Sequence, residues 1–357
     1  MTISNFPNLY SQTLTPHYIT TTAQSNGYYE YLPQSYDRTS NKKYPLLFCF
    51  GGYGENGDGS SIQLHYVLEP YGSTGWLMEK GIFPTSFMVN GQAQQFIILF
   101  PQFTGVATQQ TINDVIDYAI LHYQVDVTRI YLTGISLGGG LLWDYTGYSL
   151  ANANRIAAMV PIAGGSYADP VKAQNIAAGN IAVWATHNDG DPQVPIDTTT
   201  IDYVNWINAS MPPPSPLAKI TIFHDTQHNA WDSTYNPFYG LHVYEWMLQF
   251  KRGPATLPVT EIELNVIKNT DNNVLLKWKT YSESNNRGFA VERSADGIRF
   301  DSIGFISTHS NSGAGAEYTF KDDMPLDGKN FYRLKQISFD TKFSYSSVKI
   351  IEFKNIT

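Results

Sequence analysis

Apolar residues fall in short unbroken runs through the first two thirds of the chain. Six of them are "LLFCF" (46–50), "FIILF" (96–100), "RIYLT" (129–133), "AAMVPIA" (157–163), "IAVWAT" (181–186) and "KITIF" (219–223). Continuous rather than alternating runs predict strands buried on both faces, as in a parallel sheet covered by helices. Between them, "INDVIDYAILHY" places Ile112, Val115, Ile116, Ala119 and Ile120 on one helical face by steps of three and four. "IDYVNWINA" and "GLHVYEWMLQF" read the same way, the second carrying His242 inside its helix. Strands alternating with helices predict an α/β domain over residues 1–252 with right-handed crossovers. The prolines of "MPPPSPL" (211–217) exclude helix and strand and predict a stiff loop before the last strand.

The rhythm changes at "KRGPATLPVT" (251–260), whose Gly and prolines predict a linker at 253–260. Beyond it come seven short runs with partial alternation: "EIELNVI", "NVLLKWKT", "GFAVERS", "RFDSIGFIS", "AEYTFKD", "NFYRLKQIS" and "YSSVKIIEF". Asn, Asp, Gly and Ser clusters separate them, which predicts a small all-β sandwich of immunoglobulin or fibronectin type over 261–357. Two domains also suit a chain of 357 residues, longer than one core usually spans.

Composition narrows the function classes. The chain is 42% hydrophobic and 15% charged, which suits packed cores and excludes a disordered chain. The net charge is −8 and Lys and Arg do not cluster, so nucleic acid and anionic membranes are poor partners. No apolar run approaches the roughly 20 residues that span a bilayer. "MTISNFPNLY" lacks the basic-then-apolar pattern of a signal peptide, so any such peptide is expected to have been removed. Cys49, the single cysteine, excludes an intrachain disulfide and reads as a buried, inert thiol. With 24 Tyr, 19 Phe and 7 Trp, the chain has aromatic rings to spare for lining a groove. Oligomeric state is not legible from any of this.

The chemistry begins at "TGISLGGG" (133–140), where Ser136 stands among glycines after the run "RIYLT". A serine hydroxyl needs a base, an acid to orient that base, and donors for the oxyanion. Gly134 and Gly138 permit a tight strand-to-helix turn with Ser136 at its tip, the geometry of a nucleophile elbow. The acid is sought after a later strand, where Asp189 and Asp191 compete in "HNDGDPQVP" (187–195). Asp191 is preferred, because Pro192 fixes the chain behind it. Among later histidines, His224 closes a strand and reads as partly buried, and His242 lies in a patterned helix. His228 sits in the polar loop "DTQHNAWDSTY" at the carboxyl end of a strand, where open α/β sheets place their sites. The order Ser136, Asp191, His228 is that of an α/β-hydrolase. The oxyanion donors expected are the backbone N–H groups of Leu137 and of Tyr53, the latter in "GGYGENGDG" after the first strand. Trp231 is expected near the pocket, with Tyr53 as a second substrate contact, and Trp143 in the core. "HNDGD" has no second His or Cys cluster, so no metal site is read from it. "GGYGENG" matches neither a phosphate loop nor a dinucleotide fingerprint, so no cofactor is read from it.

These motifs carry a resemblance. "DVTRIYLTGISLGG", "HNDGDPQVP" and "QHNAWDSTY" resemble the nucleophile, acid and histidine motifs of α/β-hydrolases. The group in question includes feruloyl and acetylxylan esterases, polyhydroxybutyrate depolymerase-like enzymes and "predicted peptidases". The resemblance covers about 30–252, sets the acid on Asp191, and implies a serine carboxylesterase acting on acylated plant polysaccharide without a cofactor. A polyester hydrolase, a serine peptidase and a polysaccharide-binding protein with a degenerate hydrolase domain are the alternatives. One departure stands out: the group usually has His-Gly after the first strand, and here Gly51 stands where that supporting histidine would be. "LPVTEIELNVIKNTDNNVLLKWKTYSESNNRGFAVERSADGIRF" and "FYRLKQISFDTKFSYSSVKII" resemble a β-sandwich module of secreted Bacteroidetes proteins. That second resemblance implies an extracellular or cell-surface enzyme whose C-terminal domain contacts polymer or cell surface, or acts as a spacer.

Overall fold

The computed structural model describes residues 13–252 and 262–353, apart from 270–271, 281–282, 284–285, 309–314 and 340–342. The chain divides into two compact units, Met1–Arg252 and Gly253–Thr357. The linker expected at 253–260 lies outside the described residues.

Among its described residues the first unit contains ten strands: β1 Leu14–His17, β2 Gly27–Tyr31, β3 Tyr44–Phe50, β4 Phe87–Val89, β5 Gln92–Gln94, β6 Ile97–Gln102, β7 Val125–Ile135, β8 Ala158–Ile162, β9 Ala182–Asn188 and β10 Lys219–Phe223. Its α-helices are α1 Thr74–Glu79, α2 Gln109–His122, α3 Leu137–Tyr148, α4 Leu150–Arg155, α5 Pro170–Ala178, α6 Asp202–Ala209, α7 Trp231–Tyr235 and α8 Val243–Met247. Eight strands form one sheet in the order β1-β2-β6-β3-β7-β8-β9-β10. From β6 to β10 every neighbouring pair is parallel, while β1 and β2 are antiparallel additions at one edge. The remaining pair, β4 and β5, is a hairpin whose turn residues Asn90 and Gly91 both have positive φ, as an Asn-Gly type I′ turn requires.

The unbroken apolar runs have a direct cause in this sheet. Along β3, Leu46, Phe48 and Phe50 enter the core on one face, and Leu47 and Cys49 enter the core on the other. The first core is closed by the predicted stripe of α2 and by Trp143, which is fully buried and stacked on Tyr203 of α6 with ring centroids 4.5 Å apart. The second is closed by α1, α8 and the β4–β5 hairpin. Cys49 is buried there, and burial raises its thiol pKa far above the ordinary value, as an inert cysteine requires.

Two expectations need correction. β1 and β2 were not legible as strands, because "LTPH" carries a proline and "GYYEY" carries Glu30. The last helix is shorter than its pattern: only Val243–Met247 is α-helical, and His242 stands before it as a left-handed cap with φ 53°. His242 is therefore a helix-cap residue, not a helix-interior one.

Among its described residues the second unit has eight strands: β11 Ile262–Lys268, β12 Val274–Thr280, β13 Asn286–Ser294, β14 Asp301–Ser307, β15 Glu317–Asp322, β16 Gly328–Ser338, β17 Phe343–Tyr345 and β18 Lys349–Phe353. They form a three-stranded sheet β11-β12-β15 and a five-stranded sheet β14-β13-β16-β17, with β18 also on β16. All pairs are antiparallel. Leu264, Leu276, Trp278 and Tyr318 of the first sheet share one core with Phe289, Val291, Tyr332 and Leu334 of the second. Two sheets closed on one core make the predicted β-sandwich, with the last predicted run broken into β17 and β18.

Truncating a fully buried tryptophan removes a large apolar volume that the site cannot refill. Trp143→Ala is expected to cost about 3–5 kcal/mol of unfolding free energy, measured by urea denaturation of the full chain.

Candidate active site

The site is built at the carboxyl ends of β3, β7, β9 and β10. Ser136 lies between β7 and α3 with φ 53° and ψ −116°, a conformation costing about 1–3 kcal/mol for a residue with a Cβ. Three backbone hydrogen bonds fix it there. Its N–H donates to Ile162 O at 2.9 Å, and its carbonyl accepts from Gly140 N and Gly165 N at 3.0 Å each. The flanking glycines permit the turn by close approach rather than by flexibility. A Cβ on Gly134 would lie 2.6 Å from the Gly138 carbonyl carbon, and one on Gly138 would strike the carbonyl oxygens of Phe50 and Gly51. The elbow thus packs directly against the end of β3.

Asp191, after β9, is the electrostatic centre. Its side chain is 1% exposed, and both carboxylate oxygens are fully engaged. Oδ1 accepts from the backbone N–H of Gln193 at 2.8 Å and of Val194 at 3.1 Å. Oδ2 lies 2.6 Å from His228 Nδ1 and 3.2 Å from His187 Nε2. Burial opposes the charge, but His228 and the two amides outweigh it and hold the Asp191 carboxyl below the usual range. A carboxylate at Nδ1 fixes the His228 tautomer with its proton there. Nε2 then carries the lone pair, and it is buried without a hydrogen-bond partner. No hydrogen bond joins Ser136 Oγ to His228 in this structure. Such contacts in unliganded sites are often long and tighten only when a ligand fills the site.

The loop carrying His228 is tied back over the sheet by α7. Tyr235 shares a hydrogen bond with Thr133 of β7 at 2.6 Å, and Thr234 shares one with Thr186 of β9 at 2.8 Å. The competing pair forms its own surface contact, with His224 Nδ1 2.6 Å from Asp189 Oδ2. His224 is 92% exposed, not partly buried as expected, because β10 is the sheet's edge strand.

Sequence reasoning quoted His187 in the acid motif but gave it no role. It is fully buried, with Nδ1 2.7 Å from Thr200 Oγ1 and Nε2 facing Asp191 and Val194 O. Burial lowers its pKa, despite the neighbouring Asp191 charge. A neutral His187 with its proton on Nε2 satisfies all three contacts, so it is a second holder of the acid.

The two expected oxyanion donors each open a helical turn. Leu137 begins α3, and Tyr53 begins a short 3₁₀ turn, Tyr53–Glu55, capped by Gly52. First-turn N–H groups have no acceptor within their own helix, which leaves them available to a ligand. The loops meet closely: a Cβ on Gly52 would lie 3.3 Å from Ser136 Cβ. The loop after β3 is held by Gln102 at the end of β6, which is 1% exposed. Gln102 donates to Glu55 O at 3.0 Å and to Gln63 O, and accepts from Gly59 N at 3.0 Å.

Trp231 stands edge-on to His228 with ring centroids 5.4 Å apart, and its Nε1 donates to Tyr71 O at 3.0 Å. Trp143 is in the core, as expected. The rings of Tyr71 and Tyr239 are exposed, Tyr71 packing against Trp76 with ring centroids 4.6 Å apart and Tyr239 donating to Asp232 at 2.8 Å. Tyr53 is 77% exposed beside the elbow.

The strand order and the elbow together are those of the α/β-hydrolase fold. No protein-family model matches the chain, and no curated protein does. Solved structures similar to it include a thermostable esterase at 19% identity and TM-score 0.47, over 68% of this chain and 64% of that one. A ferulic acid esterase is similar at 17% identity and TM-score 0.45, over 64% of this chain and 97% of that one. The acylaminoacyl peptidase of Pyrococcus horikoshii is similar at 13% identity and TM-score 0.42, over 69% of this chain and 43% of that one. This chain therefore spans less than two thirds of the thermostable esterase's length.

The buried acid network makes stability depend on pH in a known direction. The folded-state pKa of His187 lies below its ordinary value of about 6.5, so the unfolded chain takes up the proton first. Its contribution is present above about pH 6.5 and is lost as pH falls through that value, while Asp191 adds a second loss below about pH 4. The urea midpoint is expected to fall between pH 7 and 5, and His187→Gln, which does not titrate, should flatten that fall.

Proposed function

We propose that the chain is a serine carboxylesterase working through an acyl-enzyme. The observation that carries this reading is the buried Asp191–His228 pair at 2.6 Å, which leaves His228 Nε2 without a hydrogen-bond partner, together with Ser136 held strained at the elbow. His228 Nε2 takes the Ser136 hydroxyl proton as Oγ adds to the ester carbonyl. The tetrahedral oxyanion sits between the N–H groups of Tyr53 and Leu137, a single such donor being worth about 3–4 kcal/mol in this kind of site. Collapse breaks the acyl–oxygen bond, and His228 hands its proton to the leaving alcohol. Water, activated by the same nitrogen, then releases the acid. Asp191 stays ionised throughout, holding the tautomer and stabilising the imidazolium.

The substrate we propose is an acyl ester on a neutral plant polysaccharide, of acetyl or feruloyl type. The rings of Trp231, Tyr71 and Tyr239 support it: with Trp231 at His228 and Tyr71 and Tyr239 exposed, the reading takes them as an open ledge suited to sugar faces or aromatic acyl groups. The same ledge also suits a polyester chain, which is the second reading. The enzyme is placed outside the cell in this proposal, on the resemblance of its C-terminal module.

Ser136→Ala should lower hydrolysis of short p-nitrophenyl esters by at least about a thousandfold. Labelling of the parent, but not of this variant, by a fluorophosphonate would exclude a binding protein with a degenerate site. Full activity in the variant would end the proposal. A panel of acetylxylan, methyl ferulate, polyhydroxybutyrate and peptide substrates ranks the readings by kcat/KM. If the ledge binds polymer, Tyr71→Ala and Tyr239→Ala lower turnover of insoluble substrate several-fold and that of p-nitrophenyl acetate far less. Equal losses on both would count against the ledge.

A further inference from the structure

Gly51 leaves the oxyanion loop without the supporting side chain that the resemblance leads one to expect, and the space is not empty. Glu55 folds back over it. A Cβ on Gly51 would lie 2.6 Å from Glu55 Cβ and 3.1 Å from its Cγ, so residue 51 and Glu55 compete for one volume. The carboxyl end reaches further. A Cβ on Gly52 would lie 2.8 Å from Glu55 Oε2 and 3.3 Å from Ser136 Cβ. Glu55 Oε2 and the Ser136 side chain thus both border the position that a Cβ on Gly52 would take.

We propose that Glu55 is a positioning residue for the oxyanion hole, its side chain bracing Gly51–Gly52 so that the Tyr53 N–H faces the carbonyl attacked by Ser136. The proposal rests on the reading of Ser136 as nucleophile. Three further features fit it. Glu55 is fixed at its backbone by the buried Gln102, so the side chain is aimed by the sheet rather than by a free loop. Among the described residues Glu55 has no ion-pair partner, so a surface salt bridge does not account for its fold-back conformation. Burial pushes its carboxyl up from the ordinary range, over the opposing pull of the Gly52 and Glu55 amides, and the charge of Glu69 adds to the rise.

The test compares the full-length parent with Glu55→Ala, Glu55→Gln, Gly51→Ala and Ser136→Ala on a short p-nitrophenyl ester. It also measures inhibition by phenylboronic acid, which forms a tetrahedral adduct on an active serine. Glu55→Ala should lower kcat about tenfold or more with little change in KM, and weaken boronate binding in parallel, as a loosened oxyanion donor does. Glu55→Gln, of the same shape, should recover most of that loss. Gly51→Ala, which pushes on Glu55 Cβ, should reproduce the signature of Glu55→Ala and decides the matter if Glu55→Ala does not fold. The proposal is overturned if Glu55→Ala or Gly51→Ala keeps the parent's kcat and boronate affinity, or if Glu55→Gln loses as much as Glu55→Ala. Retained activity in Ser136→Ala would instead overturn the reading of the nucleophile, which separates the two failures.

Discussion

Everything at the site depends on how closely two backbones approach at the ends of β3 and β7. Gly138 sits against the carbonyl oxygens of Phe50 and Gly51 at a distance no side chain allows. That contact sets the Ser136 turn beside the loop that begins with Gly51, so one packing constraint brings the proposed nucleophile and the proposed oxyanion loop together. The strain it imposes on Ser136, about 1–3 kcal/mol, is comparable to what three net backbone hydrogen bonds return at about 1 kcal/mol each. Ile162, Gly140 and Gly165 supply those three bonds. The strained serine is therefore held by the ends of β7 and β8 and the start of α3, all rigid parts of the fold.

The acid follows a different logic. Asp189 and Asp191 stand two residues apart, each 2.6 Å from a histidine. The difference between them is solvent. Asp189 and His224 lie on the exposed edge of the sheet, where an ion pair is worth little. Asp191 is removed from water and needs all four of its donors, because a buried carboxylate is tolerated only when its oxygens are satisfied. His187 matters for that reason. A neutral imidazole adds a donor to the acid without adding a charge that would compete with His228 for it.

What the sequence made legible was what local pattern determines. The parallel strands announced themselves because both faces are buried, and Leu46 through Phe50 could be read without knowing the fold. Ser136 was legible because its glycines encode a backbone contact in four letters. β1 and β2 were hidden because they are edge additions whose polar residues are satisfied by tertiary neighbours, as Glu30 is by Tyr123 at 2.6 Å. The roles of His187 and Gln102 were hidden for a related reason. The partners of Gln102 come from a distant segment, those of His187 from the folded loop just after it, and a lone His or Gln in an apolar strand gives no sign of what it will hold.

Gly51 shows the same limit from the other side. Taken as a single letter in a motif, it reads as a loss of support, since a glycine supplies no side chain to brace a loop. In three dimensions the missing atoms are what admit Glu55, because a Cβ at residue 51 would occupy the place of Glu55 Cβ. Gln102 supplies the rigidity from below, through the Glu55 carbonyl, and Glu55 covers the loop from above. A motif departure of this kind is best judged by what fills the vacated volume. Here it is filled by the side chain of a residue whose carbonyl is held by Gln102 at the end of β6.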